Sequence, residues 1–464
     1  MTRRAGTLFA LAAATGVLAG CAVGPNYKRP AVTAPEQVRG APAAEAASLA
    51  DRPWWEVFGD DALKSLIDEA LRNNYDIREA AWRVAEFRAR AGVARADFYP
   101  QVGYSGQVSR SRQSDFVVPG ATAVTLYDVN LGLSWELDLW GRIRRLSESA
   151  LARYLATEEA RRGVLLSTVA DVARAYFALR ELDARLEIAR RTTDAFKETL
   201  DLFSRQLAGG IASQLEVSRA EGAMRNAAGA VSDLERQIVA QENLIGFLLG
   251  RNPGPVARGA SLTGQALVPE VPAGLPSALL ERRPDIRQAE QELIAANAEI
   301  GAARAEYFPR ISLTGFFGAQ SRALSDLLSG PATLATATVG ATAPIFNAGR
   351  TRANVRFAEA VQREAVVNYQ RVIYTALRDV ADSLADHGKT SEQRVQQERL
   401  VAALRESTRL ATERYRGGLD SYLPVLDAQR NLFQGELELA QLRQRELTSI
   451  VQLYRALGGG WRES

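Results

Sequence analysis

The chain has 464 residues, 47% of them hydrophobic, enough to bury large cores, with a formal charge of +3, one cysteine and one histidine. A single cysteine excludes an intrachain disulfide and a cysteine-built metal cluster, and a single histidine removes most zinc and imidazole-dependent acid–base chemistry. Charges of both signs alternate along the sequence without a basic block or stripe, so no nucleic-acid partner is expected.

Arg3 and Arg4 precede an uncharged, mostly apolar run from Thr7 to Ala19. That run is too short to cross a bilayer and fits the core of a signal peptide over residues 1–20. Removing it with its two arginines lowers the formal charge to +1. The run closes on Leu18-Ala19-Gly20-Cys21, which resembles the bacterial lipobox. The resemblance implies that Cys21 becomes the mature N-terminus, carrying S-diacylglycerol and an N-acyl chain such as palmitate. Ala22, in place of an aspartate, implies sorting to the outer membrane. Several acyl chains suffice for stable anchoring, and an extended lipidated segment is expected over 21–60. No later stretch reaches eighteen apolar residues, so any membrane span here must be a β-barrel.

The rest of the chain is one unit written twice. Ala94-Arg95-Ala96-Asp97-Phe98-Tyr99-Pro100 returns 209 residues later as Ala303-Arg304-Ala305-Glu306-Tyr307-Phe308-Pro309. Gly141-Arg142, Gly209-Gly210 and Leu249-Gly250 return 208 residues later as Gly349-Arg350, Gly417-Gly418 and Leu457-Gly458. Agreement at a fixed offset marks an internal structural repeat, with a first copy over 61–260 and a second over 275–460.

Within each copy a helix is expected first, over about 75–98 in copy one, begun by capping-box-like Asp76/Glu79 and Asp285/Gln288 pairs. Pro100 and Pro309 close it. The hydrophobic period then changes to two: Thr125, Tyr127, Val129, Leu131, Leu133, Trp135 and Leu137 alternate with Asn130, Gly132, Ser134 and Glu136. That pattern gives a strand with one apolar and one polar face. Val102, Tyr104, Gly106 and Val108 continue it more weakly, and copy two carries strands at roughly 310–320 and 333–346. Tyr99, Trp140, Tyr307, Phe308 and Phe346 fall near strand ends, where an interfacial aromatic girdle belongs, although a soluble hairpin with aromatic core residues shares the pattern.

Proline-free tracts follow Gly141 and Gly349. Leu165, Val169, Val172 and Tyr176 form a coiled-coil-like seam that Ile373, Leu377, Val380 and Leu384 repeat. A helix from Gly141 to Gly209 spans roughly 100 Å, and its return over about 213–249 only roughly 55 Å. Gly209, Gly210, Gly417 and Gly418 mark the hairpin turns, because glycine accepts the left-handed geometry that ends a helix.

Four strands cannot close a barrel, and an open edge in hydrocarbon strands amides at several kcal/mol each. Three chains of four strands give twelve, an even number within the known range. The expected fold class is therefore α+β, mostly α: a trimeric tube with a shared twelve-stranded β-barrel and a long α-helical barrel.

Cys21-Ala22-Val23-Gly24-Pro25-Asn26-Tyr27, the duplicated Asp-Ile-Arg and aromatic-Pro segments, and the turn from Arg414 to Gln429 resemble the outer-membrane efflux proteins. More narrowly, they resemble the lipoprotein branch serving proton-driven multidrug pumps. The resemblance covers essentially the whole mature chain. It implies a homotrimer in the cell outer membrane, lipid-anchored and extending into the periplasm, with a periplasmic adaptor protein and an inner-membrane efflux pump as partners. It also implies a mid-height belt from residues around 51–74, 250–283 and the C-terminal end. Leu423 and Asp427 match residues that line the closed periplasmic aperture, and their spacing of four places them on one helix face. Three Asp427 carboxylates would form an acidic ring that attracts cations. Glu216 and Tyr415 match positions that latch neighbouring helices, although glutamate at 216 and Pro424 depart from some members.

No catalytic residue, metal ligand or cofactor is expected. Gly388-Lys389-Thr390 lacks the earlier glycine of a phosphate loop, since Ser383 stands there, and His387 fits a surface or helix-packing role. A periplasmic scaffold or adaptor lipoprotein with long helical hairpins is the alternative; it should carry one hairpin flanked by small β-domains, whereas this sequence repeats both hairpin and strand pair.

Overall fold

The computed structural model describes residues 22–32, 39, 58–265 and 276–459, so the expected signal segment and Cys21 lie outside the described residues. In chain order the helices and strands are α1 (Asp61–Asn73), α2 (Tyr75–Ala96), β1 (Gln101–Ser111), β2 (Val124–Leu137), α3 (Arg142–Ala208) and α4 (Gln214–Leu248). The second copy follows as α5 (Pro276–Arg282), α6 (Pro284–Ala305), β3 (Arg310–Ser321), β4 (Thr333–Thr342), α7 (Arg350–Arg416) and α8 (Leu423–Ala456). Both long helices have 67 residues. β4 stops at Thr342, four residues short of the expected end, because Pro344 cannot donate to a ladder.

Contacts divide the chain into two compact units. Of the described residues, one comprises 22–32, 83–158 and 288–370 and holds an antiparallel sheet in the order β1-β2-β3-β4. The repeat extends to register: Gln101 faces Ser134 in the first hairpin, and Arg310 faces Thr342 in the second. The segment 22–32 is strapped onto α6. Arg29 donates two 2.6 Å bonds to Glu290, Tyr27 donates one of 2.9 Å to the same carboxylate, and Asn297 Nδ2 donates to the Pro25 carbonyl. Backbone crosses backbone at Gly24, where a Cβ would lie 2.4 Å from Gly301 Cα.

The other unit comprises, of the described residues, 39, 58–82, 159–265, 276–287 and 371–459. Its core gathers Phe58, Leu63, Ile67, Tyr176, Phe177, Ile245 and Leu453. The expected seam is there, with Val169, Val172, Tyr176, Ile373 and Val380 buried and Leu377 and Leu384 packed at its edge. Asp60 caps α1: its Oδ1 accepts the Ala62 and Leu63 amides, and its Oδ2 accepts the Tyr176 hydroxyl (2.9 Å) and Gln265 Nε2 (2.7 Å). Burial opposes the charge on Asp60, but those four donors hold its carboxyl below the usual range.

The capping boxes differ from expectation. Asn74, not Asp76, caps α2, accepting the Ile77 amide at 3.1 Å while its Nδ2 donates to the Leu248 carbonyl. Its repeat counterpart is Arg283, which donates to the equivalent carbonyl, Ala456, and pairs with Asp285. Asp285 is thereby drawn onto a guanidinium rather than a box. Two side chains of different chemistry make the same tie, but only Asn74 also caps its helix. The full capping box forms at Ser213 and Glu216, where α4 begins.

Candidate membrane sheet and hairpin turns

Alternation along each strand, combined with the register, sorts the sheet into two faces. Tyr104, Leu131, Phe317 and Ala335 lie abreast on one, flanked by Val102, Leu133, Gly315 and Ala337. Tyr104 is 89% exposed, Leu131 54% and Phe317 60%, so this apolar face has no cover among the described residues. A water-soluble surface rarely carries so broad an apolar patch. The opposite face is mostly polar: Ser105 Oγ donates to Asn130 Oδ1 (3.0 Å), Asn130 Nδ2 to Asp128 (2.6 Å), and Gln320 approaches the same carboxylate. Phe316 and Leu334 interrupt it, which the sequence pattern did not anticipate. Among the described residues the outer edges of β1 and β4 have no strand partner. At the strand ends, Trp140 stacks on Phe308 with centroids 4.7 Å apart and donates its indole N–H to the Pro309 carbonyl.

Both hairpin turns close by the same hydrogen bonds. Ile211 donates to Gln206 and Gly210 to Leu207; Leu419 donates to Arg414 and Gly418 to Tyr415. That double bond needs a left-handed residue, and Gly210 (φ 73°) and Gly418 (φ 69°) supply it. The inner glycines, Gly209 and Gly417, end the helices themselves. Beneath the turns, Phe203, Tyr415 and Tyr422 form an aromatic triangle with centroids 4.7, 5.2 and 6.4 Å apart. The Tyr422 hydroxyl lies 3.0 Å from both Thr199 Oγ1 and Gln429 Oε1, and burial raises its pKa.

Residues 66–251 and 275–459 match the family described as "Outer membrane efflux protein". The "Probable efflux pump outer membrane protein TtgC" of Pseudomonas putida KT2440 is 40% identical over 98% of this chain and 96% of its own length. The chain belongs to the outer-membrane efflux protein family. "Cation efflux system protein CusC" of Escherichia coli K12 is 36% identical over 96% of this chain and 97% of that one. The solved outer-membrane channel OprN, 32% identical, superposes with a TM-score of 0.89 over 95% of this chain and 100% of its own. These relatives match a channel architecture with an internal repeat, not an adaptor with a single hairpin.

Within this efflux-protein fold the predicted site residues fall as follows. Leu423 and Asp427 share the exposed face of the first turns of α8, while Tyr422, Val425 and Leu426 on the other face are buried with Phe196 and Phe203. Among the described residues Asp427 has no ion-pair partner. Tyr415 is brought to Phe203 and Tyr422, and Glu216 Oε2 accepts the Ser213 amide at 2.7 Å. The two are not joined to each other. His387 is buried, with Nδ1 3.0 Å from Ser449 Oγ, a helix-packing position.

Sequence reasoning missed the buried carboxylates of α8. Glu446 is 3% exposed and bonds Arg394; Glu436 is 7% exposed and bonds Arg405 and Arg191. Arg394 and Arg443 also share Glu398, whose pKa is opposed by burial but lowered by those two guanidiniums. The signal that could have found them is the repeat, since Ile238 stands where Glu446 recurs and Ala228 where Glu436 does.

Proposed function

We propose that the protein is a lipid-anchored subunit of a trimeric outer-membrane channel. It acts as a passive exit duct for small molecules delivered by an inner-membrane pump through a periplasmic adaptor. The observation that carries this reading is the sheet, which among the described residues is apolar and uncovered on one face, mostly polar on the other, and open at both edges. Lipid satisfies the apolar face, and neighbouring copies satisfy the edges; three copies make a closed barrel of twelve strands. Residues 1–20 are the signal peptide, 21–60 the lipidated extended segment, and 61–260 and 275–460 the two repeats. The membrane anchor is Cys21. Leu423 and Asp427 line the aperture at the hairpin turns, and Glu216 and Tyr415 latch neighbouring helices there.

Native mass measurement of the detergent-extracted protein tests the assembly: a trimer that migrates anomalously until heated is expected, and a stable conducting monomer would refute it. Mass spectrometry of the mature N-terminus should find acylated Cys21. Leu131→Arg, on the lipid face, should cost about 2–4 kcal/mol, whereas Ser134→Arg on the polar face is tolerated.

A further inference from the structure

Glu436 joins three helices. From α7, Arg405 donates through Nε (3.0 Å) and Nη2 (2.7 Å) to Oε1; from α3, Arg191 donates to Oε2. At the preceding position α8 packs tightly against α7, because a Cβ on Gly435 would lie 3.0 Å from Leu404 Cδ1. Gln397 Nε2 donates to the Gly435 carbonyl there, at 3.0 Å. The carboxylate is buried while its partners are not: the side chains of Arg191 and Arg405 are 59% and 62% exposed. A buried carboxylate is tolerated only while its cations stay in place. Water already reaches both guanidiniums, so parting them uncovers little apolar surface.

The repeat shows that this arrangement is not a general demand of the fold. At the equivalent offset of 208, Arg405 corresponds to Lys197 and Arg191 to Arg399, so both cations recur. Glu436 corresponds to Ala228, so the carboxylate does not. Among the described residues the ionic bridge therefore joins α8 to α3, with no counterpart joining α4 to α7. Leu423 and Asp427 begin the same helix, about 20 and 14 Å along its axis from Glu436 at 1.5 Å per residue.

We propose that Glu436 is a positioning residue for the aperture: its two-arginine clasp sets where α8 rests against α3. The proposal builds on the reading of Leu423 and Asp427 as the aperture, and the test separates the two. Glu436→Gln and Arg191→Gln are made in the full-length, detergent-extracted protein. Arg191→Gln removes only the exposed α3 arm and leaves the carboxylate paired to Arg405, so folding is preserved. Amide hydrogen exchange is followed by mass spectrometry in the first turns of α8 and of its twin α4, with planar-bilayer conductance measured in parallel. Exchange in residues 423–434 should rise at least tenfold in both variants, that in 214–227 should stay unchanged, and resting conductance should rise several-fold. Unchanged exchange in α8, or equal acceleration in α4 and α8, overturns the clasp, since a general loss of stability spares neither helix. If Leu423→Ala/Asp427→Ala raises conductance and the clasp variants do not, the clasp is likewise overturned. If exchange rises in α8 but no variant changes conductance, the clasp on α8 stands and the aperture lies elsewhere.

Discussion

The two helical hairpins, α3–α4 and α7–α8, descend from one pattern but are held together by different chemistry. In the first, Leu186 packs against the apolar core that buries Ile238; in the second, the same two places are Arg394 and Glu446, an ion pair whose carboxylate is buried. One pair occurs in both hairpins with its charges exchanged: Arg190 bonds Glu235 at 2.6 Å, and Glu398 bonds Arg443 at 3.0 Å. The exchange shows that a surface pair is specified by complementarity, not by which helix carries which sign. The buried substitution teaches something else. Ionic and apolar contacts fill the same volume but differ in cost when water enters, and the hairpin that carries Leu423 and Asp427 uses the ionic version.

The largest test of this contrast is Ile238→Glu, which buries a carboxylate with no facing cation in the first hairpin. Unfolding in detergent should show a loss of about 3–5 kcal/mol. Adding Leu186→Arg rebuilds the arrangement of the second hairpin and should recover most of that loss. If the double variant is no better than the single, the two hairpins are not interchangeable frames.

The converse change, Arg394→Leu with Glu446→Ile, gives the second hairpin the side chains of the first. Stability should be unchanged or rise by up to about 4 kcal/mol; a clear destabilisation would show that the ions brace the hairpin beyond filling space. Exchanging the surface pair, Arg190→Glu with Glu235→Arg, should shift stability by no more than about 0.5 kcal/mol, read from the same unfolding curves.

The smallest effect is one of pH. The Glu398 pKa is lowered in the folded protein, so its contribution is fully present above its unfolded value, near 4.3. It is lost as pH falls through the folded value. Acidification below about pH 4.3 should therefore quicken exchange in α7–α8 before α3–α4, and Glu398→Gln should abolish the difference.

Much of this fold was legible in the sequence because duplication supplies its own control. The glycine pairs, the aromatic-Pro stops and the strand alternation each appear twice, and each marks the element it announces. The N-terminal ties were illegible for the opposite reason, since Asn74 and Arg283 reach equivalent carbonyls with unrelated side chains and only Asn74 also accepts a first-turn amide. The ionic seam escaped notice because periodicity counts every glutamate as surface. Glu436 and Glu446 sit on an inward stripe, and only their first-copy counterparts, Ala228 and Ile238, betray it.

The strap formed by residues 22–32 carries a consequence for the order of events in the cell. Its seat on α6 is Glu290, Asn297 and Gly301, and 263 positions separate Tyr27 from Glu290. A chain delivered from its N-terminus therefore presents the strap long before its seat on α6 exists. Closing so long a loop carries an entropic cost that local helices do not face. The first segment to arrive is thus among the last to be fully seated: Trp140 and Arg145 meet it at Val23 and Asn26, but its partners on α6 follow only after the whole first copy has been delivered.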